Sequence, residues 1–248
     1  MLRKNIEDTR KEFEKSFLDG EFYNRQTQDE HHRKLLLDSL HIFGPSRILD
    51  LGTGTGYLAF PLAKARRDCL VTGLDICGET LLRDLEEAKK EKISNIEFIK
   101  YDGGNLPFEN NSYDVVMSRY ALHHFENLQD TFHEIYRILK PGGQFLFADP
   151  TPKEADTDRF IDRYMQIKKD GHVKFYTQDE FVHMASLAGL VFETSAMTKI
   201  RFPRKQTDEV DQLVNAADDS VKEMYGIEYE KKEVYTTLDV LNLSFFKG

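Results

Sequence analysis

The sequence predicts a doubly wound α/β fold, in which a parallel sheet carries helices on both faces. Two observations support this prediction. Apolar runs alternate with helical patterns between residues 45 and 150, which is the order that right-handed strand–helix–strand crossovers produce. The first apolar run leads directly into a turn with three glycines, "LGTGTG", at residues 51–56. We expect one domain, because 248 residues of which 40% are hydrophobic suffice for one buried core.

The predicted elements follow one another along the chain. Residues 5–43 are mainly helical, and Gly44 and Pro45 end this region. The "LKPGG" segment at residues 139–143 interrupts the chain before the fifth strand. We predict strands at residues 47–51, 69–75, 96–101, 113–118 and 144–149, and helices at residues 56–66, 79–92 and 128–139.

Beyond residue 149 the pattern changes. Thr177 followed by Glu180 is typical of a helix N-terminal capping box, and this helix leads into a strand at residues 191–197. β-Branched and aromatic residues predict a last strand at residues 239–246. The segment between these strands, residues 201–233, is acid-rich and predicted to be helical. It forms either a cap over the site or a solvated surface.

Composition excludes several classes of function. A net charge of −9 argues against non-specific nucleic-acid binding, which requires an excess of Lys and Arg. Only two cysteines occur, Cys69 and Cys77, so we expect packed thiols and neither a disulfide framework nor a thiolate metal site. Residues 1–17 lack the apolar region of a secretory signal, and no segment approaches the length of a membrane span. We therefore expect a cytoplasmic protein.

The glycine turn discriminates between ligands by its spacing. Gly52, Gly54 and Gly56 permit a tight turn at the end of the first strand. A phosphate-binding P-loop would end in Gly-Lys-Ser/Thr, whereas position 57 is tyrosine. A dinucleotide fingerprint has its third glycine one residue later, and Asp50 would repel a pyrophosphate. The same carboxylate favours a ligand with an ammonium and a sulfonium group, such as a methyl donor with a methionyl tail.

Two further acids follow the next two strands. Asp75 ends the second strand, where a carboxylate can accept hydrogen bonds from both ribose hydroxyls of an adenosine. Asp102 follows the third strand and could accept a hydrogen bond from the adenine amino group. The carboxyl ends of parallel strands meet at one edge of the sheet. Asp50, Asp75 and Asp102 would therefore line one ligand that combines an adenosine with an amino acid.

These segments together resemble a known family, the class I S-adenosylmethionine-dependent methyltransferases. "ILDLGTGTGYLA" is similar to the first motif of the family, and "GLDI" to the acidic end of its second strand. "YDGGNLPFENNSYDVVMSRYALHHF" resembles the adenine-binding and fourth-strand region, and "HEIYRILKPGGQFLFAD" the stretch through the fifth strand. The resemblance covers about residues 45–150. Within the class, it points to the methyltransferase type 11 branch, which includes the ubiquinone and menaquinone biosynthesis C-methyltransferases.

The resemblance implies a seven-stranded Rossmann-like sheet with three strands on one side of the glycine strand. The last strand would run antiparallel between the fifth and the sixth. The chain would consist of an N-terminal helical lid at residues 1–44 and an S-adenosylmethionine-binding methyltransferase domain at residues 45–248, with a helical cap insertion at about residues 201–233. Tyr23, His31 and His32 of the lid could then reach the acceptor; a plain packing helix is the alternative.

The resemblance also assigns residues to S-adenosylmethionine and its product S-adenosylhomocysteine. The methionyl part would be held by Asp50, Gly52, Thr53 and Gly54. The ribose and adenine would be held by Asp75, Ile76, Asp102, Gly103 and Leu106, and the wall near the methyl group would consist of Ser118, Arg119 and His123.

Methyl transfer by in-line displacement depends on alignment more than on a dedicated base. Where the acceptor must lose a proton, His123 or His124 could take it, and Tyr120 and Arg119 could orient the acceptor. Alternatively, these side chains line the cofactor site or only pack against their neighbours. Asp149 is followed by Pro150 and not by the Asp-Asn pair of magnesium-dependent catechol methyltransferases, so no metal is indicated.

The sequence therefore predicts an S-adenosylmethionine-dependent methyltransferase that acts on a small organic acceptor. A non-catalytic S-adenosylmethionine-binding or partner-scaffolding module is the first alternative, and hydride transfer with a nicotinamide cofactor is the second. The expected partner is the methyl acceptor, with no nucleic acid, and the chain could also form a homodimer. The motifs do not identify the acceptor or the kind of atom that is methylated.

Overall fold

One mixed sheet of eight strands organises the computed structural model, which describes residues 29–248 together with Glu7, Arg10, Lys11 and Glu14. Most of the predicted lid, including Tyr23, lies outside the described residues. Within them, no helix combines the length and the apolarity that a membrane crossing requires.

The strands and helices are numbered in chain order. The strands are β1 (Arg47–Leu51), β2 (Leu70–Asp75), β3 (Ile96–Lys100), β4 (Tyr113–Arg119), β5 (Leu139–Thr151), β6 (Leu190–Lys205), β7 (Glu228–Glu230) and β8 (Glu233–Lys247). The helices are α1 (Glu30–Asp38), α2 (Ala59–Ala65), α3 (Gly78–Lys90), α4 (Leu128–Ile138), α5 (Phe160–Gln166), α6 (Gln178–Ala188), α7 (Asp208–Ala216) and α8 (Asp219–Met224), and a short 3₁₀ helix spans Leu122–His124.

The strand order is β3-β2-β1-β4-β5-β8-β6, and β7 pairs with β8 beside this path. Strands β1 to β5 are parallel, and β8 runs antiparallel to both β5 and β6. This confirms the doubly wound sheet and the antiparallel last strand. Two strands, not three, lie on one side of the glycine strand β1, because β4 returns to pair with β1. The short strand β7 was not predicted.

Both faces of the parallel part of the sheet are buried. In β5, Phe145 and Phe147 belong to one apolar cluster, whereas Leu146 and Ala148 belong to the other. Because successive residues of a strand point to opposite faces, this alternation means that apolar helices cover the sheet on both sides. The same pattern explains why the central strands read as continuous apolar runs.

The C-terminal part differs from the prediction in its boundaries. Strand β6 continues to Lys205, and β8 begins at Glu233, because the two strands pair in one long antiparallel ladder. Residues 201–205 therefore belong to a strand and not to the predicted insertion. Helices α7 and α8 occupy only residues 208–224 of this segment, and Thr207 caps α7 by accepting a hydrogen bond from Val210 N–H. The capping box of Thr177 and Glu180 at α6 is confirmed.

Candidate functional site

A cavity of about 550 Å³ lies at the carboxyl ends of the parallel strands. This is where open α/β sheets hold their ligands. It brings together most of the side chains that the sequence singled out: Asp50, Gly52, Thr53, Gly54, Asp75, Ile76, Asp102, Gly103, Leu106, Arg119, Tyr120, His123 and His124. Ser118 lies outside this lining, because its buried hydroxyl points to the neighbouring strand and donates to the Leu51 carbonyl at 2.8 Å.

The turn after β1 requires glycine for two reasons. Gly52 and Gly54 have φ angles of +71° and +54°, in the left-handed region that other residues rarely adopt. A Cβ added at Gly52 would lie 2.5 Å from the Cβ of Ala121. The turn therefore brings bare backbone to the cavity, next to the segment that follows β4.

Asp75 connects the glycine turn to the end of β2. Its Oδ2 accepts a hydrogen bond from Gly54 N–H, and its Oδ1 accepts one from Cys77 N–H, each at 2.9 Å. Burial raises the pKa of the Asp75 carboxyl, and these two hydrogen bonds oppose that shift. Both oxygens are thus held in fixed positions at the cavity wall, where a carboxylate can accept further hydrogen bonds from a ligand.

Asp50 is almost completely buried at the end of β1, with 2% of its surface exposed. Its Oδ2 accepts a hydrogen bond from the Thr53 hydroxyl at 2.8 Å. Burial raises the pKa of Asp50 to about 7, and the nearby Asp75 carboxylate adds to the shift. A positively charged ligand group beside Asp50 would favour its ionised form.

The loop after β3 forms a further part of the wall. Asp102 is exposed, and its Oδ1 accepts a hydrogen bond from Gly104 N–H at 3.1 Å. Leu106 is buried, and α4 holds its backbone in place: Glu134 accepts a hydrogen bond from Leu106 N–H, and Arg137 donates one to the Leu106 carbonyl, both at 2.9 Å. These hydrogen bonds to side chains of α4 therefore fix the position of the loop after β3.

The end of β4 forms a compact aromatic and cationic group with Tyr57. The Arg119 guanidinium lies over the rings of Tyr57 and Tyr120, at 4.3 and 3.9 Å from their centroids. Tyr120 has a φ of +56°, and such strained backbone clusters at functional sites. Burial raises the pKa of the Tyr120 phenol to about 12, so its hydroxyl stays protonated near neutral pH.

Of the two predicted lid histidines within the described residues, one reaches this group. His32 on α1 is buried, and its Nδ1 lies 3.4 Å from both Arg119 Nε and the Tyr120 hydroxyl. Its Nε2 lies 2.7 Å from Asn242 Oδ1 of β8. His31 is exposed and does not line the cavity. Helix α1 thus supports the cavity wall from behind.

His123 and His124 lie side by side in the 3₁₀ helix, and their ring centroids are 4.1 Å apart. Burial lowers the pKa of each ring to about 3, so both are neutral near pH 7. His123 Nδ1 lies 2.6 Å from Asp149 Oδ1, and Leu122 N–H donates to Asp149 Oδ2. A carboxylate at Nδ1 leaves His123 Nε2 as the nitrogen that is free for a ligand.

The pairing of Asp149 with His123 was missed in the sequence analysis. Asp149 follows an apolar run in the same way as Asp50 and Asp75, which is the signal that could have identified it. Burial raises the pKa of Asp149 to about 7. Because β5 pairs with β4, the end of β5 lies next to the residues that follow β4.

The cavity continues beyond the predicted residues into a second part, which we call the acceptor chamber. Apolar side chains dominate its wall, and two charged ones, Lys168 and Asp170, also line it. The apolar residues are Met165, Phe175, Ile200, Phe202 and Leu238, from α5, the segment after α5, β6 and β8. No motif in the sequence marks these positions. Over the described residues, no group of three or more His, Cys, Asp or Glu side chains could hold a metal ion.

Comparison with known protein families and sequences gives consistent matches. Residues 44–218 match the model of a family described as a methyltransferase domain. The chain is 27% identical over 160 residues to the uncharacterized methyltransferase YcgJ of Bacillus subtilis, covering 64% of this chain and 62% of that protein. It is 41% identical over 100 residues to the ubiquinone/menaquinone biosynthesis C-methyltransferase UbiE of Brucella abortus, covering 40% of this chain and 37% of that protein. The matched stretch thus spans less than two thirds of either relative.

Solved structures share the fold. The crystal structure of YcgJ superimposes with a TM-score of 0.77 at 22% identity and covers 88% of this chain and 99% of that chain. The geranyl diphosphate C-methyltransferase of Streptomyces coelicolor, solved with Mg²⁺, geranyl diphosphate and S-adenosylhomocysteine, superimposes with a TM-score of 0.63 at 16% identity, covering 88% and 79%. Both comparisons agree with the observed sheet topology.

Proposed function

Because the chain belongs to the methyltransferase-domain family, we propose that it is an S-adenosylmethionine-dependent methyltransferase and that it methylates a small organic acceptor. The observation that supports this proposal is the continuity of one cavity from the glycine turn and its carboxylates into the apolar acceptor chamber. A bound methyl donor and a bound methyl acceptor can therefore lie next to each other inside the same cavity. Family membership favours this enzyme over the non-catalytic binding module.

The residues of the first part of the cavity fit S-adenosylmethionine. Asp50 would face the ammonium group, and the bare backbone at Gly52 leaves room for the methionyl part. Asp75 would accept hydrogen bonds from the ribose hydroxyls, and Asp102 one from the adenine amino group. When bound, S-adenosylmethionine supplies a methyl group on a positively charged sulfur, and its in-line displacement removes that charge.

The chain itself contributes alignment, exclusion of water and one proton acceptor. The apolar wall of the acceptor chamber keeps water away from the reacting atoms. The Tyr120 hydroxyl, which stays protonated, can donate a hydrogen bond that orients the acceptor. Where Asp149 is ionised, His123 Nε2 can take a proton from the acceptor, because the carboxylate 2.6 Å from Nδ1 stabilises the imidazolium and so opposes the burial that lowers the pKa of His123.

Calorimetry tests the donor site. We expect S-adenosylhomocysteine to bind and NADH not to bind. Asp75→Ala should weaken S-adenosylhomocysteine binding by about 1–3 kcal/mol, because donors on the ligand lose their acceptor. Asp158→Ala, at an exposed position, is the matched control and should bind as the unchanged protein does. Binding of NADH alone would remove the assignment, and unchanged affinity in Asp75→Ala would mean that the ribose is held elsewhere.

The raised pKa of Asp50 predicts a pH-dependent affinity for the donor. The ammonium group of the ligand pairs with the carboxylate, and below about pH 7 this carboxyl must first lose its proton. Affinity for S-adenosylhomocysteine should therefore be highest above about pH 7 and fall by up to about tenfold per pH unit below it. Calorimetry across this range measures the effect, and Asp50→Asn should bind weakly with a flat profile. A flat profile in the unchanged protein would contradict the role of Asp50.

A further inference from the structure

One carboxylate of the acceptor chamber has no role in the methyl transfer described above. Asp170 follows α5, lines the cavity and is 5% exposed. Its Oδ2 lies 3.3 Å from Lys168 Nζ. Its Oδ1 is buried and has no hydrogen-bond partner in the described part of the chain. A buried acceptor without a donor costs free energy, so a bound group that donates to it is the simplest explanation.

His172, two residues further along the chain, carries a second buried polar atom without a partner in the described part of the chain. It is 7% exposed, and its Nε2 lies 2.9 Å from Asp162 Oδ1. Burial raises the pKa of Asp162, but hydrogen bonds from His172, from Phe175 N–H and from Arg159 outweigh it and lower the pKa overall. Because Asp162 is ionised, it accepts a hydrogen bond from Nε2–H of His172. The buried atom that lacks a partner among the residues that the structure describes is Nδ1 of His172.

The segment that carries Asp170 and His172 is attached to the proposed reaction site. Val173 N–H donates a hydrogen bond to the His123 carbonyl at 2.9 Å. The His172 ring lies 5.4 Å from the His123 ring and 4.6 Å from the Phe175 ring, measured between centroids. Asp170 lines the cavity itself, whereas His172 does not line it and packs against His123 and Phe175, which do.

We propose that Asp170 forms a recognition subsite for a hydroxyl group of the methyl acceptor, distinct from the atom that is methylated, and that His172 packs behind this subsite. The proposal rests on the proposed function and specifies its substrate class. That class is a largely apolar molecule with two polar hydrogens: one on the nucleophilic atom near His123 and one on a second hydroxyl at Asp170. Five apolar side chains of the chamber would contact the remainder of the molecule.

Charge around Asp170 selects a hydroxyl over other groups. Burial raises the pKa of Asp170, but its neighbours His124, Lys168 and Arg204, in that order, lower the pKa overall, so the carboxylate is ionised. Arg204 is itself buried, and its guanidinium contacts Met165 of the chamber wall. Lys168 and Arg204 would repel an ammonium group, and Asp170 would repel a second carboxylate. A neutral donor fits both constraints.

The test uses binding to the protein saturated with S-adenosylhomocysteine. The probes are propylphenol, dihydroxypropylbenzenes that differ in hydroxyl spacing, their monomethyl ethers, and aminomethyl analogues in which an ammonium replaces one hydroxyl. Calorimetry gives each dissociation constant. We expect the best dihydroxy probe to bind about 10- to 100-fold more tightly than propylphenol, its methyl ether and its aminomethyl analogue.

Asp170→Ala should reduce this preference to about twofold or less while S-adenosylhomocysteine affinity stays unchanged. Asp170→Asn keeps the shape of the side chain and replaces the alanine variant if that variant does not fold. It should reduce the preference for the dihydroxy probe over propylphenol to about threefold. Asp158→Ala, exposed and outside the chamber, should keep the full preference.

Three results would overturn the subsite. They are equal binding of mono- and dihydroxy probes by the unchanged protein, a preference retained in Asp170→Ala, and tighter binding of the methyl ether or aminomethyl probes. Absence of binding by every probe, with S-adenosylhomocysteine bound, would likewise overturn the substrate class. Absence of S-adenosylhomocysteine binding would instead contradict the proposed function, so the two failures are distinguishable.

Discussion

Replacing His123 with asparagine is expected to lower the rate of methyl transfer by about 10²- to 10⁴-fold, the usual worth of a positioned general base. The asparagine amide can occupy the place of Nδ1 and donate to Asp149, which now bonds the imidazole at 2.6 Å. The variant therefore removes Nε2, the proposed proton acceptor, and preserves the contact behind it. The rate is measured with methyl-labelled S-adenosylmethionine and the hydroxylated propylbenzene that binds best.

The matched control is His133→Asn. His133 is exposed on α4, and its only hydrogen-bond contact within the described residues is a long one to the Leu187 carbonyl, at 3.4 Å. It should transfer methyl groups at the unchanged rate. In His123→Asn, S-adenosylhomocysteine affinity should stay within about twofold of the unchanged value. Lower affinity for this product at an unchanged transfer rate would show that His123 is a wall residue of the donor site, the alternative that the sequence left open.

Gly52→Ala should destabilise the fold by about 2–5 kcal/mol, from the strain of a side chain at positive φ and from overpacking against Ala121. Binding of S-adenosylhomocysteine should be lost as well, because the added Cβ alters the turn that lines the cavity. Denaturant unfolding measures the first effect and calorimetry the second.

Gly142→Ala separates the two causes. Gly142 has nearly the same φ, +73°, but a Cβ there would meet no atom within 4 Å. This variant should lose only about 1–2 kcal/mol, the cost of the backbone conformation. It should bind S-adenosylhomocysteine normally. Equal destabilisation by the two substitutions would mean that the contact with Ala121 relaxes and that the close approach at Gly52 is unimportant.

The part of the site that could be predicted from the sequence is the proposed donor site, because its residues occur in short local patterns. Apolar runs located β1 to β4, and acids or glycines at or just beyond the ends of these strands identified Asp50, Gly52, Asp75 and Asp102. In a parallel sheet all these positions meet at one edge, so their proximity follows from the strand order alone. Arg119, Tyr120 and the two histidines were found in the same way, after β4.

Other features depend on register. Ser118 pairs with Leu51 across the β1–β4 ladder, and its side chain points into the sheet and not into the cavity. A shift of one residue along a strand reverses the direction of every side chain, and the sequence pattern does not resolve such a shift at a strand end. The long ladder between β6 and β8 also shortened the predicted insertion, because residues 201–205 pair with residues 233–237 and extend β6.

The sequence by itself determined the parallel core, the glycine turn and the carboxylates of the donor half, because each depends on residues that are near one another in the chain. Only the tertiary structure decided the acceptor half. Asp149 reaches His123 across the β4–β5 pair, and Asp170 with Lys168 joins apolar residues of β6 and β8 from segments far apart in sequence. Such contacts arise when distant segments pack together, so the spacing of residues along the chain does not predict them.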